Sequence, residues 1–198
     1  MRHVEMAPAK LNLSLRVLGR RDDGFHEIET LMVPVQGLAD ELLFDLRIGE
    51  GEVSLSCDDP ELPLDEGNLV LQAVRKFQQV AGLRFAGQIE LRKAIPSGAG
   101  LGGGSSDAAA TLRALASIAG GKLADQLEPM AAEIGSDVPF FLTARPAICR
   151  GRGEIITGFD RPIPRAAVVL AKPAFGVPSG WAYSRWASSQ ELPGAEYG

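Results

Sequence analysis

The sequence predicts an α+β domain in which a mixed sheet packs with helices. Three observations favour this class. Apolar and polar residues alternate strictly over residues 10–17, which is the period of a half-buried strand. Over residues 68–82 the apolar side chains recur at spacings of three and four, as on one face of a helix. Over residues 89–119 a strand-like segment, a glycine-rich segment and a second helical pattern follow one another.

Composition indicates a folded protein without a strong charge bias. The chain has 198 residues, of which 45% are hydrophobic and 23% charged, close to the average for globular proteins. With 20 basic and 25 acidic residues the net charge is −5, which argues against a general binder of nucleic acid or anionic membranes. A phosphate ligand would therefore have to be held by local groups.

Cysteine and histidine are too few for a disulfide framework or a zinc motif. Cys57 and Cys149 lie far apart in the chain, and His3 and His26 are the two histidines. The first ten residues lack the apolar run of a secretory signal, and no stretch approaches the roughly 18 apolar residues needed to span a bilayer. These features favour a cytoplasmic protein.

The amino-terminal elements follow from alternation and turn residues. Residues 10–17 are the first predicted strand, with Lys10 and Asn12 on one face. The polar turn at residues 19–24 presents Phe25 and His26 before a second apolar segment. Further on, residues 42–46 and 53–55 flank a Gly-Glu-Gly turn, and we interpret them as a hairpin.

The remaining elements are helices and strands with recognisable ends. Asn68 is the expected cap of a helix that ends at Gly82. Residues 89–95 are a predicted strand, and Ser105 or Ser106 is expected to cap the helix that follows the glycines. Another helix is predicted over residues 123–134, and a buried strand over residues 165–172.

The segment Pro-Ser-Gly-Ala-Gly-Leu-Gly-Gly-Gly-Ser-Ser at residues 96–106, here called the glycine loop, is suited to bind a polyphosphate. Glycines let successive backbone N–H groups converge on an anion, and the following helix adds its positive end. A flexible linker would not need to lie between a strand and a capped helix. A Walker A lysine is absent, and the dinucleotide-binding pattern is disfavoured because a second helix, not a strand ending in an acidic residue, follows.

Other polar residues have ordinary interpretations when each is taken singly. Lys10 fits a solvated strand position, Asp137 a helix cap, and His26 a surface turn. Taken together with the glycine loop, however, three segments of the chain resemble the GHMP kinases: residues 7–26, 96–106 and 134–139. Lys10, Asn12 and the Asp-Gly-Phe-His turn resemble the branch that phosphorylates 4-diphosphocytidyl-2-C-methyl-D-erythritol in non-mevalonate isoprenoid biosynthesis.

The resemblance covers most of residues 1–172 and implies a fold, an activity and cofactors. The implied fold is that of a GHMP kinase amino-terminal domain, similar to ribosomal protein S5 domain 2. The implied reaction transfers the γ-phosphoryl group of ATP, with Mg²⁺, to the 2-hydroxyl of the methylerythritol unit. Residues 173–198 would be a tail or the start of a carboxy-terminal domain with a further glycine-rich motif that relatives possess and this chain does not show.

The resemblance also assigns roles to individual residues. Asp137 would accept the proton of the hydroxyl, and Lys10 would orient that carboxylate and stabilise developing charge. The residues expected to hold the nucleotide phosphates are Pro96, Ser97, Gly98, Ala99, Gly100, Leu101, Gly102, Gly103, Gly104, Ser105 and Ser106. The hydroxyls of Ser105 and Ser106 have two open roles, as Mg²⁺ ligands or as helix caps.

Four further residues are expected to contact the substrate: Asn12, Phe25, His26 and Tyr183. His26 would read the edge of a cytosine, and Phe25 would stack on it from a position where many relatives have tyrosine. Tyr183, with Pro178 and Ser179, matches a later substrate segment more weakly and would add a second stacking surface.

Two alternatives stay open at this stage. One is a GHMP kinase for another small alcohol, such as mevalonate or homoserine. The other is a nucleotide-binding module or fragment without catalysis, because the second domain of the family is not present in these 198 residues. The partner that the resemblance implies is a small molecule, a cytidine diphosphate-linked sugar alcohol, with neither nucleic acid nor a membrane involved.

Overall fold

A computed structural model describes residues 2–121, 123–173, 175–177 and 179–186 of the chain. It contains one sheet and a set of helices, which confirms the predicted α+β class. The strands are β1 His3–Arg20, β2 His26–Ile48, β3 Val53–Cys57, β4 Phe85–Arg92, β5 Ala147–Gly151 and β6 Ile155–Gly158. The helices are α1 Leu69–Ala81, α2 Gly103–Ile118, α3 Leu127–Ile134, α4 Val138–Thr143 and α5 Ser179–Ser184, with a 3-10 turn over Ala124–Gln126.

Strand β2 organises the sheet because its 23 residues are long enough to pair with three neighbours. It pairs antiparallel with β1 along most of its length, with β4 through its second half and with β5 through its first half. The Ile28–Gly151 pair brings the end of β5 beside the start of β2. The turn between β1 and β2 and the turn between β5 and β6 therefore lie next to each other.

The predicted hairpin around residues 49–51 is wrong. Strand β3 does not pair with β2; it runs parallel to β4, which lies between them. Parallel neighbours need a crossover connection, and α1 supplies it between β3 and β4. The Gly-Glu-Gly segment marks a turn out of β2, but it does not determine which strand the chain meets next.

Helices α1 and α2 confirm the helical patterns, with one correction. Asn68 caps α1 by accepting the N–H of Val70, and Gly82 ends the helix with a φ of 63°. The predicted Ser105 or Ser106 cap is wrong, because α2 begins at Gly103 and Gly102 occupies the capping position with a φ of 74°. Glycine adopts this left-handed conformation without strain, so the helix starts earlier and both serines lie inside its first turn.

The main core lies between the helices and the sheet. Most of α2 is buried, and it packs against α1, α4, β1 and β2. Its alanines allow these neighbours to approach closely, and large side chains from the sheet and from α1 and α4 fill the space around it, among them Phe44, Phe77 and Phe140. Because α2 is held on several sides, its first turn at the glycine loop has a fixed position.

The predicted buried strand at residues 165–172 is also wrong. These residues form no strand with any described part of the chain, and their side chains are exposed, up to 93% for Val169. An apolar run becomes a buried strand only when neighbouring strands and a packed layer cover it, and the described residues supply neither. Pro178 and residues 187–198 lie outside the described residues. Among the helices described here, none has both the length and the apolar character that crossing a membrane requires.

Candidate active site

A cavity of about 860 Å³ lies between the glycine loop, the β1–β2 turn and the start of α4. This volume is within the range of small-molecule sites. Of the residues predicted from the sequence, those that line it are Lys10, Asn12, Phe25, His26, Gly98, Gly100, Gly102, Gly103, Gly104, Ser105, Asp137 and Tyr183. Pro96, Ala99 and Leu101 line a neighbouring cavity of about 890 Å³. Ser97 is exposed outside both, and Ser106 is fully buried.

Lys10 and Asp137, which are far apart in the sequence, meet in this cavity. The Lys10 Nζ lies 3.4 Å from the Asp137 Oδ2, and the lysine side chain is only 8% exposed. Asp137 occupies the position that precedes α4, yet its side chain makes no capping hydrogen bond. The carboxylate therefore faces the ammonium group and the cavity.

A chain of hydrogen bonds within the first two strands orients Lys10. Lys10 Nζ donates to Asn12 Oδ1 at 2.6 Å, and Asn12 Nδ2 donates to Thr30 Oγ1 at 2.7 Å. Thr30 is fully buried and its hydroxyl donates to the carbonyl of Ser14 at 2.6 Å. Asn12 thus uses its amide to position Lys10 as well as lining the cavity.

The glycine loop is an ordered part of the fold. Gly98, Gly100 and Gly102 have φ values of 67°, 72° and 74°, a left-handed conformation that favours glycine. Between them, Leu101 packs with Ala9 and Ile95 in a small satellite core. The loop therefore has an apolar anchor on one side and presents a cradle of backbone groups to the cavity on the other.

Gly102 shows why a side chain is excluded at the base of the cradle. A Cβ atom there would lie 2.7 Å from the Phe141 ring and 3.0 Å from the Lys10 Cγ. The Lys10 side chain thus passes directly beneath the loop. In addition, the backbone N–H of Lys10 donates to the carbonyl of Leu101 at 2.9 Å, so the loop and β1 are joined through the main chain.

A second group of charges lies behind the loop, where α2 begins. Lys93 Nζ donates to one carboxylate oxygen of Asp40 and, at 2.8 Å, to Asp107 Oδ2. The other oxygen of Asp40 accepts the backbone N–H groups of Ala94 and Ile95, which lead into the glycine loop. This cluster therefore connects β2, the residues that follow β4 and the amino-terminal part of α2.

Asp107 is an unusual member of that cluster. It is 2% exposed, and its Oδ1 has no hydrogen-bond partner among the described residues. Burial raises the pKa of Asp107 to about 7, although the ammonium of Lys93 opposes that shift. Two carboxylates share one ammonium here, so protonation of Asp107 leaves the cluster without a net charge.

The other end of the cavity carries the aromatic residues. The guanidinium carbon of Arg152 lies 4.7 Å above the Phe25 ring. His26 stacks on Tyr183 with the ring centroids 5.4 Å apart and the planes 21° apart. Burial and the nearby Asp137 carboxylate raise the pKa of the Tyr183 hydroxyl. Three residues predicted to contact a base thus lie at one end of the cavity. One ring face of His26, however, is already stacked against a ring face of Tyr183.

Two other groups near the pair are chemically restricted. Burial, with Asp137 nearby, raises the pKa of the Cys149 thiol to about 12, so this thiol stays neutral and is not a candidate nucleophile. In the described part of the chain, no three His, Cys, Asp or Glu side chains are grouped closely enough to hold a metal ion. Mg²⁺ that stays bound to nucleotide phosphates needs few protein ligands. Ser105, near the end of the glycine loop, lines the cavity.

Sequence reasoning did not find Thr30, Asp40, Lys93, Asp107 or Arg152. Thr30 and Asp40 lie in β2 and Asp107 lies in α2, in elements that otherwise contribute to the core, and Lys93 directly follows β4. None of these positions shows a motif. Arg152 did carry a signal, because it lies between two glycines in a Gly-Arg-Gly turn. Such a turn can bring a cation close to neighbouring backbone.

Comparison with known proteins identifies a family and a set of relatives. The GHMP kinases N terminal domain matches residues 68–145. The chain is 46% identical over 195 residues to a 4-diphosphocytidyl-2-C-methyl-D-erythritol kinase of Prochlorococcus marinus, covering 97% of this chain and 60% of the relative. The kinase of the same name from Methylacidiphilum infernorum is 44% identical over 182 residues, with 91% and 62% covered.

Solved structures give the same result. A crystal structure of 4-(cytidine 5'-diphospho)-2C-methyl-D-erythritol kinase matches with a TM-score of 0.67 and 39% identity, over 81% of this chain and 56% of the other. A homoserine kinase from Cytophaga hutchinsonii matches with a TM-score of 0.63, over 96% and 65%, but at 23% identity it shows the fold alone. The chain spans about three fifths of the length of the curated relatives named above.

The buried Asp107 gives a prediction about stability. Its pKa is about 7 in the folded protein, against about 3.9 in an unfolded chain. From about pH 4 to 7 the folded protein keeps a proton that the unfolded chain has released, so the contribution of Asp107 to stability falls as the pH rises. Asp107→Asn removes this titration. The free energy of unfolding of the variant, relative to wild type, should increase by on the order of 1 to 4 kcal/mol across that window.

Urea unfolding followed by circular dichroism at several pH values between 4 and 8 measures this difference. The matched control is Asp160→Asn, at an exposed aspartate outside the cluster. Its difference from wild type should not depend on pH. A pH-independent difference for Asp107→Asn would contradict the assigned titration.

Proposed function

The chain belongs to the GHMP kinases, and from this premise we propose that it transfers the γ-phosphoryl group of ATP to the 2-hydroxyl of 4-diphosphocytidyl-2-C-methyl-D-erythritol. One observation carries the proposal: the Lys10 ammonium and the Asp137 carboxylate lie 3.4 Å apart in a cavity walled by the glycine loop. A base and a cation thus lie beside a cradle suited to a triphosphate.

The nucleotide end of the cavity is the glycine loop with the first turn of α2. Backbone N–H groups of left-handed glycines and of a helix start can donate to phosphate oxygens, and the helix dipole favours negative charge there. When Mg²⁺ is bound with the nucleotide, it neutralises charge on the β- and γ-phosphates. The Ser105 residue is the proposed protein contribution to that ion, whereas buried Ser106 is not.

The chemical step needs positioning more than covalent catalysis. The substrate oxygen forms a bond to the γ-phosphorus as the bond to the β-phosphate oxygen breaks, so ADP leaves. The hydroxyl proton passes to Asp137, which is proposed to hold that hydroxyl in line with the leaving group. Lys10, held by Asn12, stabilises the negative charge that develops between the two oxygens.

The aromatic end of the cavity favours a nucleotide-linked substrate over mevalonate or homoserine. Phe25, His26 and Tyr183 offer ring surfaces and hydrogen-bonding groups suited to a base, at roughly 1 to 3 kcal/mol per stacked base. A small acyclic alcohol has no ring that could stack on these side chains. The names of the relatives support the same choice. A cytoplasmic location is part of the proposal, since Cys57 and Cys149 are free thiols.

The 198-residue chain should release ADP from ATP when 4-diphosphocytidyl-2-C-methyl-D-erythritol is present, as measured by a coupled assay, and cytidine diphosphate should inhibit competitively against that substrate. Turnover of mevalonate or homoserine in its place would show a different member of the family. Equilibrium binding of ATP with no ADP release from any of these alcohols would favour a non-catalytic nucleotide-binding module.

Asp137→Asn should lower kcat by about 10² to 10⁴, because proton acceptance and alignment are lost. The KM for ATP should change little, since the glycine loop holds the phosphates. The control is Asp22→Asn, at an exposed aspartate in the β1–β2 turn that does not line the cavity. Full turnover by Asp137→Asn would remove this residue from the mechanism.

A further inference from the structure

Arg152 lines the active-site cavity from a turn outside the three segments that resemble the GHMP kinases. It lies between β5 and β6, where Gly151 and Gly153 have φ values of 72° and 120°. Gly151 pairs with Ile28 of β2, and its N–H also donates to Glu27 Oε1 at 3.2 Å. These contacts hold the turn against the start of β2, beside Phe25.

The turn also lies against the proposed base. A Cβ atom on Gly153 would lie 3.5 Å from Asp137 Oδ1, so the backbone of the turn approaches that carboxylate closely. Arg152 is thus positioned between Asp137 and the aromatic end of the cavity. The Arg152 side chain lines the same cavity as both.

The guanidinium of Arg152 is held in one orientation by stacking, but its hydrogen-bonding capacity is only partly used. It stacks over the Phe25 ring at 4.7 Å, and its side chain is 28% exposed. Its polar contacts are long: Nε to Glu154 Oε1 at 3.8 Å and Nη2 to the carbonyl of Ala132 at 3.4 Å. The Glu154 carboxylate is instead bonded to the backbone N–H of Arg152 at 2.6 Å. Stacking fixes the plane of the guanidinium, while its N–H edges can still donate to a ligand.

The proposed triphosphate site has other groups to hold it. The glycine loop and α2 form the other end of the cavity, and Lys10 there faces Asp137. A second cation beside an aromatic platform therefore fits a ligand that carries its own phosphates close to a base. Arginine suits this role because its planar donors match phosphate oxygens in pairs.

We propose that Arg152 binds the diphosphate of the cytidine diphosphate-linked substrate while it holds Phe25 in place as a stacking surface for the base. This inference rests on the function proposed above and adds a specificity-determining residue to it. Phe25 is 49% exposed, so the ring has surface left for a base besides the side that Arg152 covers. The protein would then contact the substrate at three places: Phe25 would stack on the base, Arg152 would bind the diphosphate, and Asp137 would hold the hydroxyl.

The test is a binding series on the full 198-residue chain, with cytidine, cytidine monophosphate and cytidine diphosphate titrated by calorimetry. Saturating ADP is present throughout, so that the glycine loop cannot accept the added diphosphate. Wild type should bind the diphosphate about tenfold or more tightly than cytidine, the gain expected of charge-assisted hydrogen bonds. Arg152→Gln should lose most of that gain and keep most of its affinity for cytidine, and Arg152→Lys should retain part of the gain.

The matched control is Arg150→Gln, on the neighbouring strand. Arg150 is exposed, pairs with Glu29 at 2.9 Å and does not line the cavity, so the gain should persist in that variant. A gain that survives in Arg152→Gln overturns this inference and leaves the proposed function intact. A wild type that binds no cytidine ligand overturns the proposed function and the inference with it. An equal loss of ADP affinity in Arg152→Gln would also count against the inference, because it indicates a general disturbance of the cavity.

Discussion

The backbone N–H of Lys10 donates to the carbonyl of Leu101, and through this bond the position of Lys10 and that of the glycine loop depend on each other. The register of β1 on β2 shifts at the residues just before Lys10, which lets the strand meet the loop. Leu101 then packs with Ala9 and Ile95. Backbone and side-chain contacts therefore agree in holding the left-handed glycines of the loop in place.

Two buried cations support this arrangement in different ways. Lys10 faces the cavity, where Asn12 and Asp137 offset the cost of burying its charge. Lys93 lies behind the loop and joins Asp40 to Asp107, while Asp40 also accepts backbone N–H groups of the segment leading into the loop. The first cation is placed to act on a ligand. The second holds the start of α2, against which phosphates would be bound.

The local sequence pattern was enough to predict strand faces and helix ends, because these features do not depend on residues far away in the chain. Alternation placed Lys10 and Asn12 on one face, and Asn68 and Gly82 marked the ends of a helix. Local pattern did not predict which strands pair. The predicted hairpin was wrong because β4 lies between β2 and β3 in the sheet. The predicted strand at residues 165–172 was wrong because no described strand lies beside it to cover it. The distance from Lys10 to Asp137 could be suggested only by family resemblance, since no periodicity relates residues so far apart.

Asn12 illustrates how the structure refines an assignment made by resemblance. Its amide oxygen accepts from Lys10 and its amide nitrogen donates to buried Thr30, so both ends of the side chain are already engaged. An amide has further lone-pair and N–H capacity, so a substrate contact remains chemically available. The hydrogen bond to Thr30 holds its orientation. Asn12 therefore links the ammonium of Lys10 to the buried part of the sheet. In the proposed reaction, this link would fix the position of the cation before negative charge develops.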